Sequence, residues 1–156
     1  MKKFNPSLAP VIWIIISLSA GFIGSQFSPD HWYEALNKPT WNPPNYIFGP
    51  VWTMLYILMG ISAWLVWRKY KLSGASIAFV FFFFQLILNT LWSYLFFGLH
   101  RPDLAFMEII VLWIAILVTL ISFYKLHKTA ALLLLPYLGW VTFAAVLNFT
   151  LWQLNG

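Results

Sequence analysis

Residues Trp32 to Tyr56 read Trp-Tyr-Glu-Ala-Leu-Asn-Lys-Pro-Thr-Trp-Asn-Pro-Pro-Asn-Tyr-Ile-Phe-Gly-Pro-Val-Trp-Thr-Met-Leu-Tyr. Four prolines, Pro39, Pro43, Pro44 and Pro50, interrupt the stretch. Each removes a backbone donor and biases the residue before it toward extended geometry, so regular helix is not expected until the chain passes Pro50. The Trp and Tyr side chains here are costly to leave loose in water. An ordered loop folded back as a lid onto an apolar body resolves the conflict.

Long apolar runs flank the stretch on both sides. The chain has 156 residues, 62% apolar and only 8% charged. A soluble domain carries about 25% charged residues, so charge this sparse cannot cover a soluble surface. The expected class is an all-α integral membrane protein. Spans of roughly 20 apolar residues each fall at about 8–27, 46–67, 74–97, 103–124 and 130–154. The expectation is a five-transmembrane-helix bundle forming one membrane domain over 1–156, with a lid loop at 28–45. Pro50 is placed in the first turn of span two and Pro136 at a kink in span five. Two lysines before the first run also describe a signal peptide. The run is longer than a usual signal core and Ser25-Gln26-Phe27 is a poor cleavage site, so a retained span is preferred. Its small residues pair at helical spacing, Ser17 with Gly21 and Ala20 with Gly24, which suits close helix approach.

The net charge of +5 is no nucleic-acid signal, because Lys and Arg lie in small clusters between apolar runs. With five spans, Lys2, Lys3, Arg68, Lys69, Lys71, Lys125 and Lys128 share one side, while Lys38 and Arg101 lie on the other. The positive-inside rule then places the N-terminus on the cytosolic side of a bacterial cell membrane and the lid outside. The chain lacks cysteine, which removes disulfides, thiolate ligation and cysteine nucleophiles. His31, His100 and His127 stand at span ends, without zinc spacing or a nucleophile–base pair. No catalytic residue, metal site or cofactor is expected. Glu108, just inside span four, reads equally as a functional intramembrane acid or as a side chain snorkelling to the interface.

The aromatics carry more information. Trp32, Trp64, Trp67 and Trp152 suit an interfacial belt, but Trp113 and Trp140 lie about ten residues into their spans, where an indole N–H needs a partner. Three faces share helical spacing: Trp52, Tyr56 and Gly60; Gln85, Asn89, Trp92 and Phe96; Trp140, Ala144, Asn148 and Trp152. Intramembrane amides face the bundle interior. The faces therefore define either a polar-aromatic cavity beneath the lid or an interhelical amide clamp in a packed core.

Five segments then resemble one family. They are Trp-Tyr-x-x-Leu-x-Lys-Pro-x-Trp-x-Pro-Pro at Trp32 to Pro44, Gly-Pro-Val-Trp-x-x-Leu-Tyr at Gly49 to Tyr56, Gln-Leu-x-Leu-Asn-x-x-Trp at Gln85 to Trp92, Phe-Phe-Gly at Phe96 to Gly98, and Pro-Tyr-x-x-Trp-x-x-Phe-Ala-x-x-Leu-Asn at Pro136 to Asn148. In order, over nearly the whole chain, they resemble the translocator protein family, also described as tryptophan-rich sensory proteins or peripheral-type benzodiazepine receptors. The resemblance implies a five-helix membrane bundle, usually a homodimer. It implies a receptor or transport role in which porphyrins (tetrapyrroles, haem-like ligands), sterols such as cholesterol, and isoquinoline carboxamide or benzodiazepine-type ligands bind beneath the first loop. Family pocket positions fall on Trp52, Asn89, Trp92, Trp140, Ala144 and Leu147, with Tyr33, Pro43 and Pro44 from the lid. Tyr56 and Asn148 join them from the inward faces.

The alternative the family offers is an enzyme degrading porphyrin with light and oxygen. Two departures stand out. The sterol pattern of animal members needs a Tyr and a terminal Arg or Lys where this chain has Phe149 and Gln153. The small-residue stripe of span three stops at Gly74 and Ala78.

Overall fold

The computed structural model describes residues 5–156, so Lys2 and Lys3, which enter the charge count, lie outside the described residues. A 3₁₀ turn (Pro6–Leu8) feeds α1 (Ala9–Gly24). There Asn5 accepts from the Ser7 amide and Pro6 pre-sets the backbone for the turn. Next come α2 (His31–Ala35), α3 (Asn45–Gly74) and α4 (Ser76–Ser93) with a π turn at Tyr94–Gly98. The chain ends with α5 (Pro102–Leu126), α6 (Lys128–Leu132) and α7 (Leu135–Asn155). Among the described residues, five helical stretches are long and apolar enough to cross a membrane, as the five-helix expectation requires.

Three boundaries differ from expectation, each for a backbone reason. α3 starts at Asn45, so Pro50 stands in its second turn rather than its first. The missing Pro50 N–H leaves the Tyr46 carbonyl without its helical donor. Span five is two helices, because the chain breaks at Leu133–Leu134 and Pro136 sits in the first turn of α7, where a missing N–H costs nothing. Span two stays helical through Tyr70 and breaks at Lys71, whose positive φ is not helical, before a last short turn reaches Gly74.

α1 packs on α3 and α4, α4 on α5, and α5 on α7. The small residues of α1 divide between two neighbours. A Cβ at Gly21 would stand 2.4 Å from the Tyr56 ring, whereas one at Gly24 would lie 3.3 Å from the Ser93 hydroxyl of α4. The Ala20 carbonyl accepts from Thr90 of α4 at 3.0 Å. From α3, Gly60 lies directly on the α1 backbone, where a Cβ would come within 2.5 Å of Ile14 Cα. The α1–α3 seam is therefore set by hydrogen-sized side chains.

The basic half of the bundle is closed by aromatics. Trp13 stacks on Phe79 at 5.2 Å and Phe82 on Phe123 at 5.9 Å. In the run Phe81 to Phe84 only some rings turn inward: Phe82 is buried, while Phe83 and Phe84 are exposed. Ser62 donates to the Ala130 carbonyl and Tyr70 to the Leu126 carbonyl, tying α3 to the α5–α6 turn. The outer surface carries Phe22, Ile77, Val80, Ile87 and Met107. Exposing such side chains to water costs about 25 cal/mol per Å² of apolar area, and lipid removes that penalty.

Candidate functional site

The amides of α4 and α7 anchor the interior. Tyr56 donates to Asn89 Oδ1, Asn89 Nδ2 donates to the Tyr137 hydroxyl at 2.8 Å, and Tyr137 donates to Gln85 Oε1 at 2.7 Å. One level nearer the lid, Trp92 Nε1 donates to Asn148 Oδ1 at 2.9 Å and Asn148 Nδ2 to the Pro102 carbonyl at 2.8 Å. Both amides are thus interhelical clamps, satisfied within the protein as buried polar groups require. Trp113, deep in its span, finds its partner in Thr142 at 2.8 Å. Trp140 Nε1 is buried without a hydrogen-bond partner among the described residues, and so is Gln85 Nε2.

The clamps leave space beside them. A cleft of about 400 Å³ opens between the lid-side halves of α1, α3 and α4. Trp52, Tyr56, Asn89 and Trp92 line it, facing Leu18 and Gly21 of α1. Behind this wall lies a void of about 10 Å³, bordered again by Trp52, Asn89 and Trp92, and closed by Ile109, Leu112, Val141 and Ala144. Trp52 stacks on Tyr56 at 5.7 Å and meets Tyr137 edge-on at 6.2 Å, so its plane is held from two sides.

The expected site residues divide into three groups. Trp52, Tyr56, Asn89 and Trp92 come together in the cleft, and Ala144 joins three of them at the inner void. Asn148 reaches this group only through its bond to Trp92. Tyr33, Leu147, Phe96 and Leu151 form a separate cluster beneath the lid. Trp140 packs on Phe143 at 5.3 Å and on Phe48 at 6.1 Å, and Phe48 is a cleft residue. Pro44 caps α3, while the Pro43 carbonyl accepts from Asn42, whose own Oδ1 takes the Tyr33 hydroxyl at 3.3 Å. Sequence reasoning missed the α1 wall and the role of Tyr137 as hub. The Gly21 and Gly24 spacing was a signal for the first, but it reads only as helix contact.

The lid holds a short helix and several pins. Asp30 caps α2 through the Tyr33 amide at 3.3 Å and faces His100 Nε2 at 3.3 Å. Trp32 stacks on His100 at 4.4 Å, with the planes only 10° apart. Asn155 Oδ1 accepts from the Asn37 amide and its Nδ2 donates to the Asn37 carbonyl, at 2.8 and 2.9 Å. The π turn closes with Leu99 N–H on the Tyr94 carbonyl, sending Phe96 toward Tyr33 and Phe97 into the cleft. Such turns frequently mark functional sites. Burial pushes the Tyr33 phenol above its ordinary value. Partial desolvation works to raise the Asp30 carboxyl, but the Tyr33 amide and then His100 outweigh it, and the group sits below its ordinary value.

A lowered carboxyl contributes at every pH above its unfolded value, and the contribution fades as pH falls through the folded one. Asp30→Ala at neutral pH should therefore speed amide exchange across 31–36 several-fold and leave the spans unchanged. Equal exchange in both proteins would remove the capping role.

Glu108 is buried, and neither carboxyl oxygen has a hydrogen-bond partner among the described residues. It does not snorkel to the interface. Those residues hold no His/Asp/Glu group of three that could bind a metal.

This geometry has relatives. Residues 10–153 match the model of the TspO/MBR family. The chain is 43% identical over 152 residues to the tryptophan-rich protein TspO of Chlorobaculum tepidum, covering 95% of this chain and 96% of that one. It is 46% identical over 145 residues to the protein of the same name from Archaeoglobus fulgidus, covering 91% and 94%. The translocator protein of Homo sapiens is 35% identical over 158 residues, covering 96% and 92%. A tryptophan-lined membrane bundle, a family match over nearly its whole length and relatives aligned over most of both chains lead to one conclusion: the chain belongs to the TspO/MBR family.

Proposed function

We propose that this chain binds porphyrins and related planar apolar ligands against the wall formed by Trp52, Asn89 and Trp92. The observation that carries this reading is that these three residues border both the cleft and the inner void. A cleft of about 400 Å³ falls in the range of small-molecule sites, about 300–1,000 Å³, and its lining of aromatics with a few polar groups is typical of them. The Trp52 plane offers stacking, and the Asn89 and Trp92 side chains stand beside it. The human relative's name, translocator protein, agrees with a ligand-carrying role. Isoquinoline carboxamide and benzodiazepine-type ligands suit the same wall. Sterol recognition through the end of α7 is disfavoured, because Phe149 packs there on Phe106 at 5.1 Å instead of a Tyr offering a hydroxyl. We read the chain as one membrane domain that works as a homodimer.

Titration of protoporphyrin IX by its own absorbance tests the reading. A saturable band shift at one porphyrin per chain, equal in light and dark, is expected. A linear, unsaturable response would refute binding, and light-driven loss of the band only with protein present would assign degradation instead.

The charge asymmetry supports an N-terminus on the cytosolic side of a bacterial cell membrane. A reporter fused after Gly156 should be active only on the outer face, and cytosolic activity would reverse the assignment.

A further inference from the structure

We infer that ligands reach the Trp52–Trp92 wall sideways from the bilayer, through a mouth between α1 and α3, and do not pass under the lid. The inference rests on the binding reading above and adds its route. α1 and α3 meet closely at Gly60 and Gly21, and on the lid side of the Gly21–Tyr56 contact the cleft lies between Phe22 and Ser25 of α1 and Gly49 and Thr53 of α3. On its other flank α1 is sealed against α4, by Thr90 on Ala20, Ser93 on Gly24 and Tyr94 on Phe27 at 5.2 Å. The remaining gap is edged by Phe22, Gly49 and Thr53, all exposed.

The mouth is built for an apolar visitor. None of the cleft residues is charged. Two of its rim hydroxyls are already engaged: Thr53 donates to the Gly49 carbonyl at 2.8 Å and Ser25 to the Phe22 carbonyl at 2.7 Å. They therefore hold entering water weakly and present their carbon side. Phe22, 71% exposed, extends the apolar surface outward into the space that lipid fills. Of the lid loop, only Ser28 and Pro29, next to α1, line the cleft; residues 30–44 contribute nothing to it, and the lid is pinned at His100 and Asn155. A ligand that dissolves in bilayers is concentrated at this mouth before it meets the protein.

Gly49 makes the route testable. It lies in α3 with ordinary backbone angles, and a Cβ there would meet no atom within 4 Å. Gly49→Phe thus adds a ring at the mouth without a backbone clash, and replacing a helical glycine favours the helix. Gly49→Ala is the size control. Asn155→Ala cuts both bonds that pin Asn37 and loosens that end of the lid, leaving the His100 contacts in place.

Protein in phosphatidylcholine vesicles would be mixed with donor vesicles carrying protoporphyrin IX, and loading followed by the band shift. Loading of Gly49→Phe should slow at least tenfold, with release slowed in step. Gly49→Ala and Asn155→Ala should load within about twofold of the parent. Parental loading by a folded Gly49→Phe, or several-fold faster loading by Asn155→Ala, would overturn the route. A parent that never takes up porphyrin would instead bring down the binding reading itself.

Discussion

Gly60→Ala should lower the melting temperature of the purified protein sharply, while Gly139→Ala should leave it level or slightly raised. At Gly60 the new methyl would stand 2.5 Å from Ile14 Cα and 2.7 Å from Ile14 N. A flexible side chain could turn aside, but helix backbone cannot, so α1 must back away from α3. Overpacking a filled interior costs about 1–3 kcal/mol, and a backbone obstacle puts this site at the upper end. Displacing α1 also moves Gly21 off Tyr56, which donates to Asn89 at the centre of the amide network. Gly139 lies in α7, and a methyl group there would meet nothing within 4 Å. Alanine there gains about 0.5–1 kcal/mol of helix preference. Melts followed by loss of helical signal compare the two. Equal melting temperatures would show that α1 does not ride on Gly60.

Trp52→Ala should weaken protoporphyrin binding tenfold or more. Trp52 is held flat by two neighbours, Tyr56 and Tyr137, and borders both the cleft and the void. An aromatic contact contributes about 0.5–1.5 kcal/mol beyond area burial. The lost area adds to that, and each 1.4 kcal/mol is about tenfold in affinity. Trp52→Phe keeps most of the area and should cost several-fold. Trp140→Ala should also cost only several-fold, since Trp140 supports the cleft through Phe48. Trp64→Phe is the control, because Trp64 sits under Arg68 at the basic end of α3. Reading the porphyrin's own absorbance avoids confusion among ten tryptophans. Parental affinity in a folded Trp52→Ala would place the ligand elsewhere.

The helices were legible because apolar runs of span length admit few other readings in so uncharged a chain. The inward faces were legible too. Gln85, Asn89 and Asn148 have no partners in lipid, and spacing put them on shared stripes. Spacing alone could not choose between clamp and cavity, and the molecule contains both. Asn89 clamps Tyr56 to Tyr137 and still borders the cleft.

Long-range pairings escaped, since no local pattern encodes them. Asn37 and Asn155 lie 118 residues apart, and Trp32 meets His100 only because the π turn brings the α4–α5 loop over the lid. The α1 wall escaped for a different reason. Gly21 reads as a helix-contact glycine, which it is, but the same missing side chain lets Tyr56 lie beside the space it lines.

The most direct measurement is an experimental structure of the protein with protoporphyrin IX bound. The macrocycle should lie along Trp52 and Trp92, with Asn89 at its edge and Leu18 and Gly21 of α1 opposite. A macrocycle held on the outer helix surface, out of contact with Trp52, would contradict the account.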